Sequence, residues 1–202
     1  LQTDDGLNLL EPGRTPHGNV QFLLILSCLV KAIDVHAGLL RESACNPGND
    51  LRLGLQEAPP AIISIFLGEQ LTDGVEQIVK KGTATSSLEG EVLQMGVATL
   101  PELHKDATDR NRTSPIAFTG NKFEFRMVGS RDSIAEANVV LNAISAEAFS
   151  EACDILENAE DVDREVRKLI IRNFREHQRI LFNGNGYDES WTMEAEKRGL
   201  PN

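Results

Sequence analysis

The sequence predicts an α+β fold that is rich in helices and has a few antiparallel strands. Long segments near both ends carry apolar residues at the spacing of an α-helix, whereas residues 122–127 alternate between charged and apolar side chains, as a strand does. The chain has 202 residues, 41% of them hydrophobic and 25% charged, which is sufficient for a buried core.

The first sixty residues predict one long helix followed by a loop. Thr15 and Pro16 have the pattern of an N-cap followed by Pro at the first helical position, and the apolar residues after them predict a buried helix to about Leu40. Residues 43–60 contain Asn-Pro-Gly-Asn and Pro-Pro sequences, which are typical of turns. A shaped loop is therefore predicted there.

The next segment is less regular. A second helix is predicted from Ala61 to about Lys81, although Gly68 and Gly74 weaken its pattern. Residues 92–103 are compatible with either a short helix or a turn-rich segment.

A hairpin turn at Thr119-Gly120-Asn121 is predicted to lead into a strand over residues 122–127. Because successive side chains of a strand alternate between its faces, the charged and the apolar residues of this segment separate. One face carries Lys122, Glu124 and Arg126, and the other carries Phe123, Phe125 and Met127.

The last third of the chain, residues 133–202, predicts a helical segment. A long helix is expected over residues 133–158, and Asp161 is expected to cap the helix that follows it. A turn cluster at residues 183–187 and a short charged helix at residues 188–198 complete the chain. The predicted buried stripe of the long helix comprises Ile134, Ala137, Leu141, Ile144, Ala148 and Ala152.

Composition argues against several functional classes. With 20 Lys and Arg against 31 Asp and Glu, the formal charge is −11, so a general nucleic-acid binder is not expected and any anionic ligand needs a local basic cluster. The longest apolar run, residues 22–30, is much shorter than the roughly 20 residues of a membrane-spanning helix. Three cysteines without metal-ligand spacing argue against a disulfide framework and favour a reducing cytoplasm.

Two segments carry candidate chemistry. Asp109-Arg110-Asn111-Arg112 and the charged strand face around Glu124 suit an anionic ligand bound together with a cation. The alternative is a solvated strand face with cross-strand ion pairs. The loop over residues 46–60 holds Arg52 and Glu57 between Gly and Pro residues, and is either a flap over a site or a surface connection.

Several motifs, in one order along the chain, resemble the type III glutamine synthetases, the long bacterial form of that enzyme. They are Asn8-Leu9-Leu10-Glu11-Pro12-Gly13, Asn49-Asp50-Leu51-Arg52-Leu53-Gly54, Glu57-Ala58-Pro59-Pro60-Ala61-Ile62, Asp109-Arg110-Asn111-Arg112-Thr113-Ser114-Pro115 and residues 118–126. The resemblance implies ATP-dependent ligation of glutamate and ammonia through γ-glutamyl phosphate, with Mg²⁺ or Mn²⁺ as cofactor. It also implies a cytoplasmic, ring-shaped homo-oligomer.

The resemblance assigns a role to each matching residue. It implies that Glu124 binds a metal ion and that Arg52 and Arg126 bind glutamate. Arg112 matches a phosphate-contacting catalytic residue, and Lys122 matches another basic residue of the phosphate site. Glu57 resembles the flap Glu that shields the intermediate and takes a proton from ammonium.

The chain also departs from the family pattern. Ile116-Ala117-Phe118 stands where the shorter forms have a further Arg, and residues 61–106 resemble the helix-rich insertion of the long form. The chain lacks an initiator Met, and the other metal-ligating Glu residues of the family are expected before Leu1. Residues 1–202 are therefore expected to be a carboxy-terminal portion of the catalytic domain that is inactive alone.

An alternative is a non-catalytic relative that keeps the fold as a binding or regulatory module. Retention of the catalytic set argues against it, because a module released from catalysis has no reason to keep these residues together. The set comprises Arg52, Glu57, Arg112, Glu124 and Arg126.

Overall fold

The structure is a computed structural model that describes residues 1–54, 58–86 and 112–201, together with the backbone of residues 92–93 and 103–104. Its helices are α1 (Val20–Val35), α2 (Ala37–Glu42), α3 (Pro47–Arg52), α4 (Glu69–Lys81), α5 (Ala135–Glu157), α6 (Val162–His177) and α7 (Glu189–Lys197). Its strands are β1 (Ile65–Phe66), β2 (Val92–Leu93), β3 (Leu103–His104), β4 (Ile116–Phe118) and β5 (Phe123–Phe125). The predicted α+β class is confirmed.

Helix α1 is the centre of the helical layer and packs against both α5 and α6. It is apolar almost all round, as predicted: Leu26 and Val30 are fully buried, and so is Phe174 of α6. The predicted start of this helix is wrong. Asn19 caps α1 by accepting a hydrogen bond from the backbone N of Phe22, whereas Thr15 precedes only a 3₁₀ turn and makes no such bond.

The predicted end of this helix is also wrong. The continuous helix expected to reach Leu40 ends at Val35, and α2 begins after His36. His36 has φ −108° and ψ 24°, which is outside the helical region, and this one residue turns the chain between the two helices.

The helix predicted to begin at Ala61 begins at Glu69 instead. Residues 61–67 form an extended segment that contains β1, and all seven are buried. A short apolar run predicts a buried strand as well as a helix, and periodicity does not separate them. The run ends at Gly68, whose φ of 80° favours glycine, and there Asn183 Oδ1 accepts hydrogen bonds from the backbone N of Leu67 and Gly68.

The sheet has β4 between β1 and β5. The predicted hairpin is confirmed, because β4 and β5 are antiparallel and the backbone N of Thr119 donates to the Lys122 carbonyl across the turn. Strand β5 is shorter than predicted and ends at Phe125. Strands β1 and β4 are parallel, which requires a long crossover between them, and that connection contains α4.

The two predicted C-terminal helices are confirmed as α5 and α6, and Asp161 caps α6 by accepting from the backbone N of Arg164. Ala137, Ile144, Ala148 and Ala152 of the predicted stripe are buried. Ile134 is 65% exposed, contrary to the prediction, because α5 begins one residue after it.

The chain end packs onto the free side of β1. Leu181 forms a parallel bridge with Ile65, and the ring of Phe182 stacks on Trp191 of α7 at a centroid distance of 3.6 Å. The guanidinium of Arg198 lies over the ring of Trp191, 5.4 Å from its centroid, and Arg198 Nη1 donates to the Leu181 carbonyl. The tail is thereby fixed to the sheet.

A buried carboxylate joins α1 to the end of α6. Asp34 is 5% exposed; its Oδ1 accepts from Arg179 Nε at 2.8 Å, and its Oδ2 lies 2.8 Å from His177 Nδ1. A buried charge of this kind is tolerated only when it is paired and hydrogen-bonded.

Among the described residues, no helix is long and apolar enough to cross a bilayer.

Replacing Asp34 is expected to destabilise the fold. Asp34→Ala removes the carboxylate that contacts Arg179 and His177, so a polar group of each residue loses its partner. The free energy of unfolding, measured by urea denaturation, should therefore fall by about 2–4 kcal/mol. The exposed Asp154 of α5 is the control, and Asp154→Ala should change the free energy of unfolding by less than about 0.5 kcal/mol. Equal stability of the two variants would contradict this prediction.

Candidate functional site

A cavity of about 130 Å³ lies where the end of α3, the approach to β4 and the end of β5 meet. Arg52, Arg112 and Arg126 all line it, although 74 residues separate the first from the last. The described part of its wall contains no carboxylate. The remaining lining residues are Leu53, Ala58, Pro59, Pro60, Ser114, Pro115, Met127 and Tyr187. Convergence of guanidinium groups suits a carboxylate or a phosphate.

Arg126 is held at the end of β5 by two kinds of contact. Its backbone N donates to the Pro115 carbonyl at 2.8 Å, which continues the ladder between β4 and β5. Its side chain donates to Glu124 Oε2 from Nη2 at 3.0 Å and from Nε at 3.3 Å. The prediction that Glu124 and Arg126 share one face of the strand is confirmed.

The same contact sets the charge state of Glu124. Hydrogen bonds from the Arg126 guanidinium, and then its positive charge, lower the pKa of the Glu124 carboxyl below its ordinary value, while partial burial opposes them. A bond from Thr119 and the charge of Lys122 act in the same direction as Arg126. Glu124 is therefore a carboxylate at neutral pH, as a metal ligand must be.

Arg52 is positioned by a helix where a loop was predicted. Asn46 caps α3 by accepting from the backbone N of Asn49, and Pro47 takes the first helical position. The same Asn-Pro-Gly sequence that is typical of turns also starts helices, so the loop prediction for residues 43–60 missed α3. Arg52 ends the helix, and its Nε donates to Asn49 Oδ1 at 2.9 Å while its Nη2 donates to the Met127 carbonyl at 2.8 Å.

Arg112 lies in an exposed turn before β4, and its side chain has no hydrogen bond or ion pair with another described residue. The next residue, Thr113, is held by the C-terminal loop because its Oγ1 accepts from the backbone N of Gly186 at 2.8 Å. The approach is so close that a Cβ on Gly186 would lie 2.7 Å from the Thr113 carbonyl oxygen and 3.3 Å from Pro59. The loop thus supports the turn that carries Arg112.

Two wall residues were missed by sequence reasoning. Tyr187 follows Gly186 in the C-terminal loop, and the turn cluster at residues 183–187 was the only signal for it. Ser114 is 3% exposed, and its Oγ is buried without a partner among the described residues. A buried hydroxyl of this kind is costly unless a ligand or water satisfies it.

The other predicted site residues are not in this wall. Lys122 is exposed in the turn between β4 and β5 and does not line the cavity. Glu57 lies outside the described residues. Both assignments stay predictions.

The described residues do not form a complete metal site. No group of three or more His, Cys, Asp or Glu side chains in the described ranges is arranged to hold an ion. Glu124 fits the role of one oxygen ligand, since it is ionised and half-exposed. Mg²⁺ takes about six oxygen ligands, so further donors are needed beyond this carboxylate.

The chain is similar over its length to curated glutamine synthetases. A type-3 glutamine synthetase of Dictyostelium discoideum is 46% identical over 205 residues, which cover 100% of this chain and 28% of the relative. Glutamine synthetases of Bacteroides fragilis (strain YCH46) and Butyrivibrio fibrisolvens are each 41% identical, over 208 and 212 residues that cover 100% and 99% of this chain and 28% of each relative. A family model described as the glutamine synthetase C-terminal domain matches residues 165–202.

These similarities confirm the family resemblance that the motifs indicated. The chain spans about 28% of the length of the curated relatives, and the match lies in their carboxy-terminal part.

Replacing Gly186 is expected to disturb the turn that carries Arg112. In Gly186→Ala the new Cβ must push the Thr113 backbone away, so the free energy of unfolding should fall by about 1–3 kcal/mol. Gly74→Ala is the control: Gly74 lies inside α4 with open space at its Cβ position, and the change should raise this energy by about 0.5–1 kcal/mol. Both free energies are measured by chemical denaturation. If Gly186→Ala does not lower the free energy of unfolding, the close contact is contradicted.

The pKa of Glu124 is expected to depend on Arg126. An acid titration followed by carboxyl ¹³C NMR should give a pKa below the ordinary Glu value, and Arg126→Leu should raise it. Since the folded-state pKa is lowered, the pair stabilises the fold above the unfolded-state pKa, and this stabilisation is lost as the pH falls through the folded-state value. Arg172→Leu, on the exposed face of α6, should leave the titration unchanged. An ordinary pKa in the unchanged chain would refute the pairing.

Proposed function

We propose that this chain, which belongs to the glutamine synthetase family, supplies substrate-binding residues to an ATP-dependent ligase that converts glutamate and ammonia to glutamine. The observation that carries the proposal is the convergence of Arg52, Arg112 and Arg126 on one cavity next to the ionised Glu124. The reaction proceeds through γ-glutamyl phosphate, so glutamate, ATP and the phosphorylated intermediate are all anions that need such a cluster.

Arg52 and Arg126 bind glutamate. Each guanidinium is already oriented by hydrogen bonds within the chain, Arg52 by Asn49 and the Met127 carbonyl, and Arg126 by Glu124. A pre-oriented guanidinium loses little side-chain entropy when it binds a carboxylate, and its planar arrangement of donors matches the two carboxylate oxygens. Binding between two such groups fixes the direction in which the γ-carboxylate points.

Arg112 acts on the phosphoryl group. It has no partner among the described residues, so its guanidinium is available to an incoming phosphate. Phosphoryl transfer depends mainly on positioning and on neutralising charge at the transferred group, and one arginine in this position contributes several kcal/mol to the transition state in comparable enzymes. Lys122 adds positive charge from the neighbouring turn.

Glu124 supplies one ligand to a divalent ion, Mg²⁺ or Mn²⁺, which when bound neutralises phosphate charge. Glu124 lies two residues before Arg126, so the two proposed roles belong to one rigid strand end, which supports the assignment. The flap residue Glu57 takes the proton from ammonium. The remaining ligands come from the rest of the enzyme, which we propose to be a cytoplasmic, ring-shaped homo-oligomer.

Variants of the full-length protein test these roles through glutamine formation from ATP, glutamate and ammonium. Glu124→Ala should lower kcat at least about 100-fold, because the metal loses a ligand. Arg126→Ala should raise the KM for glutamate about 10- to 100-fold, because a charge-assisted bidentate contact is lost.

The exposed residues Glu157 and Arg172 offer matched controls, and their Ala variants should turn over like the unchanged enzyme. Wild-type activity of Glu124→Ala would refute its metal role. No glutamine formation by the unchanged full-length protein would favour a non-catalytic binding module instead.

A further inference from the structure

We propose that Asn49 is a positioning residue that fixes Arg52 relative to Arg126, and so sets the affinity of the ligase for glutamate. This inference rests on the proposed function, because it concerns the substrate that Arg52 binds. It goes beyond the roles assigned to the cavity residues, since Asn49 does not line the cavity.

Asn49 has its hydrogen-bonding groups engaged in a buried site. The residue is 3% exposed, its Oδ1 accepts from Arg52 Nε at 2.9 Å, and its Nδ2 donates to the carbonyls of Ala44 at 2.6 Å and Met127 at 2.8 Å. Two carbonyl oxygens must face the NH₂ group and a guanidinium must face the oxygen, so the amide has only one acceptable orientation. Asn49 therefore offers Arg52 an acceptor at a fixed point.

The Met127 carbonyl closes the network. It accepts from both Asn49 Nδ2 and Arg52 Nη2, each at 2.8 Å, which uses the two lone pairs of the oxygen. Met127 is 2% exposed and directly follows Arg126 along the backbone. Asn49 thus ties α3 to the end of β5, and with it ties one glutamate-binding arginine to the other.

The network leaves the correct part of the guanidinium for a ligand. Arg52 uses its Nε and one Nη2 hydrogen within the chain, and the structure gives no partner among the described residues for Nη1 or for the second Nη2 hydrogen. These remaining donors can hold both oxygens of a carboxylate. Without Asn49 the guanidinium would rotate about its last side-chain torsions, and this pair of donors would lose its direction.

A double-mutant cycle in the full-length enzyme tests this role. The KM for glutamate, the KM for ATP and kcat are measured for the unchanged enzyme, Asn49→Ala, Arg52→Ala and the double variant. Asn49→Ala should raise the KM for glutamate about 10-fold while that for ATP stays within about twofold. In the Arg52→Ala background, Asn49→Ala should raise the KM for glutamate no further, because Asn49 acts through Arg52.

A conservative variant separates positioning from stability. Asn49→Asp keeps an acceptor for Arg52 but turns a carboxylate oxygen towards the carbonyls of Ala44 and Met127. A positioning role predicts a KM for glutamate nearer to that of the unchanged enzyme than Asn49→Ala gives, even though Asn49→Asp unfolds at a lower temperature. A purely structural role predicts that the KM follows the loss of stability. If Asn49→Ala does not fold, Asn49→Asp is compared with Arg52→Ala instead, and a positioning role predicts that Asn49→Asp has the lower KM for glutamate.

Asn173 provides the matched control. It is 2% exposed, lies in α6 away from the cavity wall, and donates to Ser27 Oγ. Asn173→Ala should lower the thermal stability of the enzyme without a selective change in the KM for glutamate.

Four results of the mutant cycle would overturn the proposal. The first is an equal rise in the KM for glutamate on Asn49→Ala with and without Arg52, and the second is an equal rise in both KM values. The third is a glutamate KM unchanged by Asn49→Ala while Arg52→Ala raises it, which would leave the proposed function standing. If Arg52→Ala itself has no effect on that KM, the glutamate role of Arg52 fails and the inference fails with it.

Discussion

The arrangement of the cavity depends on one constraint: a buried backbone must find hydrogen-bond partners. Residues 61–67 run through the core as an extended segment, so their N–H and C=O groups require neighbours along both edges. On one edge the partner is β4, and on the other it is the chain around Leu181. The turn of Arg112 leads into strand β4, and the chain that follows Leu181 forms the loop of Gly186. This turn and this loop meet next to Pro59.

Electrostatics follow from this geometry. A chain with a formal charge of −11 gathers three arginines at one cavity, and it does so without burying a carboxylate among the described wall residues. Two of these arginines are oriented by hydrogen-bond acceptors of the chain: Arg126 by a carboxylate at Glu124, and Arg52 by uncharged oxygens at Asn49 and Met127. Uncharged acceptors orient a guanidinium without neutralising it. Arg52 therefore keeps its full electrostatic attraction for an anion, whereas the positive charge of Arg126 is partly neutralised by its ion pair with Glu124.

Local patterns predicted much of this fold but not its junctions. Helices α5 and α6 have long periodic stripes and a capping Asp, and the hairpin of β4 and β5 has a turn sequence with strict alternation, so each is determined by near neighbours. The segment before α4 was misassigned because a short apolar run satisfies either a strand or a helix, and only pairing with β4 decides between them.

The site divides in the same way. The common face of Glu124 and Arg126 follows from strand geometry, whereas the approach of Arg52 to Met127 joins residues 75 positions apart. Tyr187 belongs to a loop that packs on Thr113, and no local pattern contains this contact.

The fixing of the chain end to the sheet has a consequence for association between molecules. An open sheet edge presents carbonyl and amide groups on which another chain can add a strand. Here the guanidinium of Arg198 donates hydrogen bonds to the carbonyls of Arg179 and Leu181 and lies over the ring of Trp191. The carbonyl of Leu181, beside the outer edge of β1, is thereby already paired and is not open to a strand from another molecule.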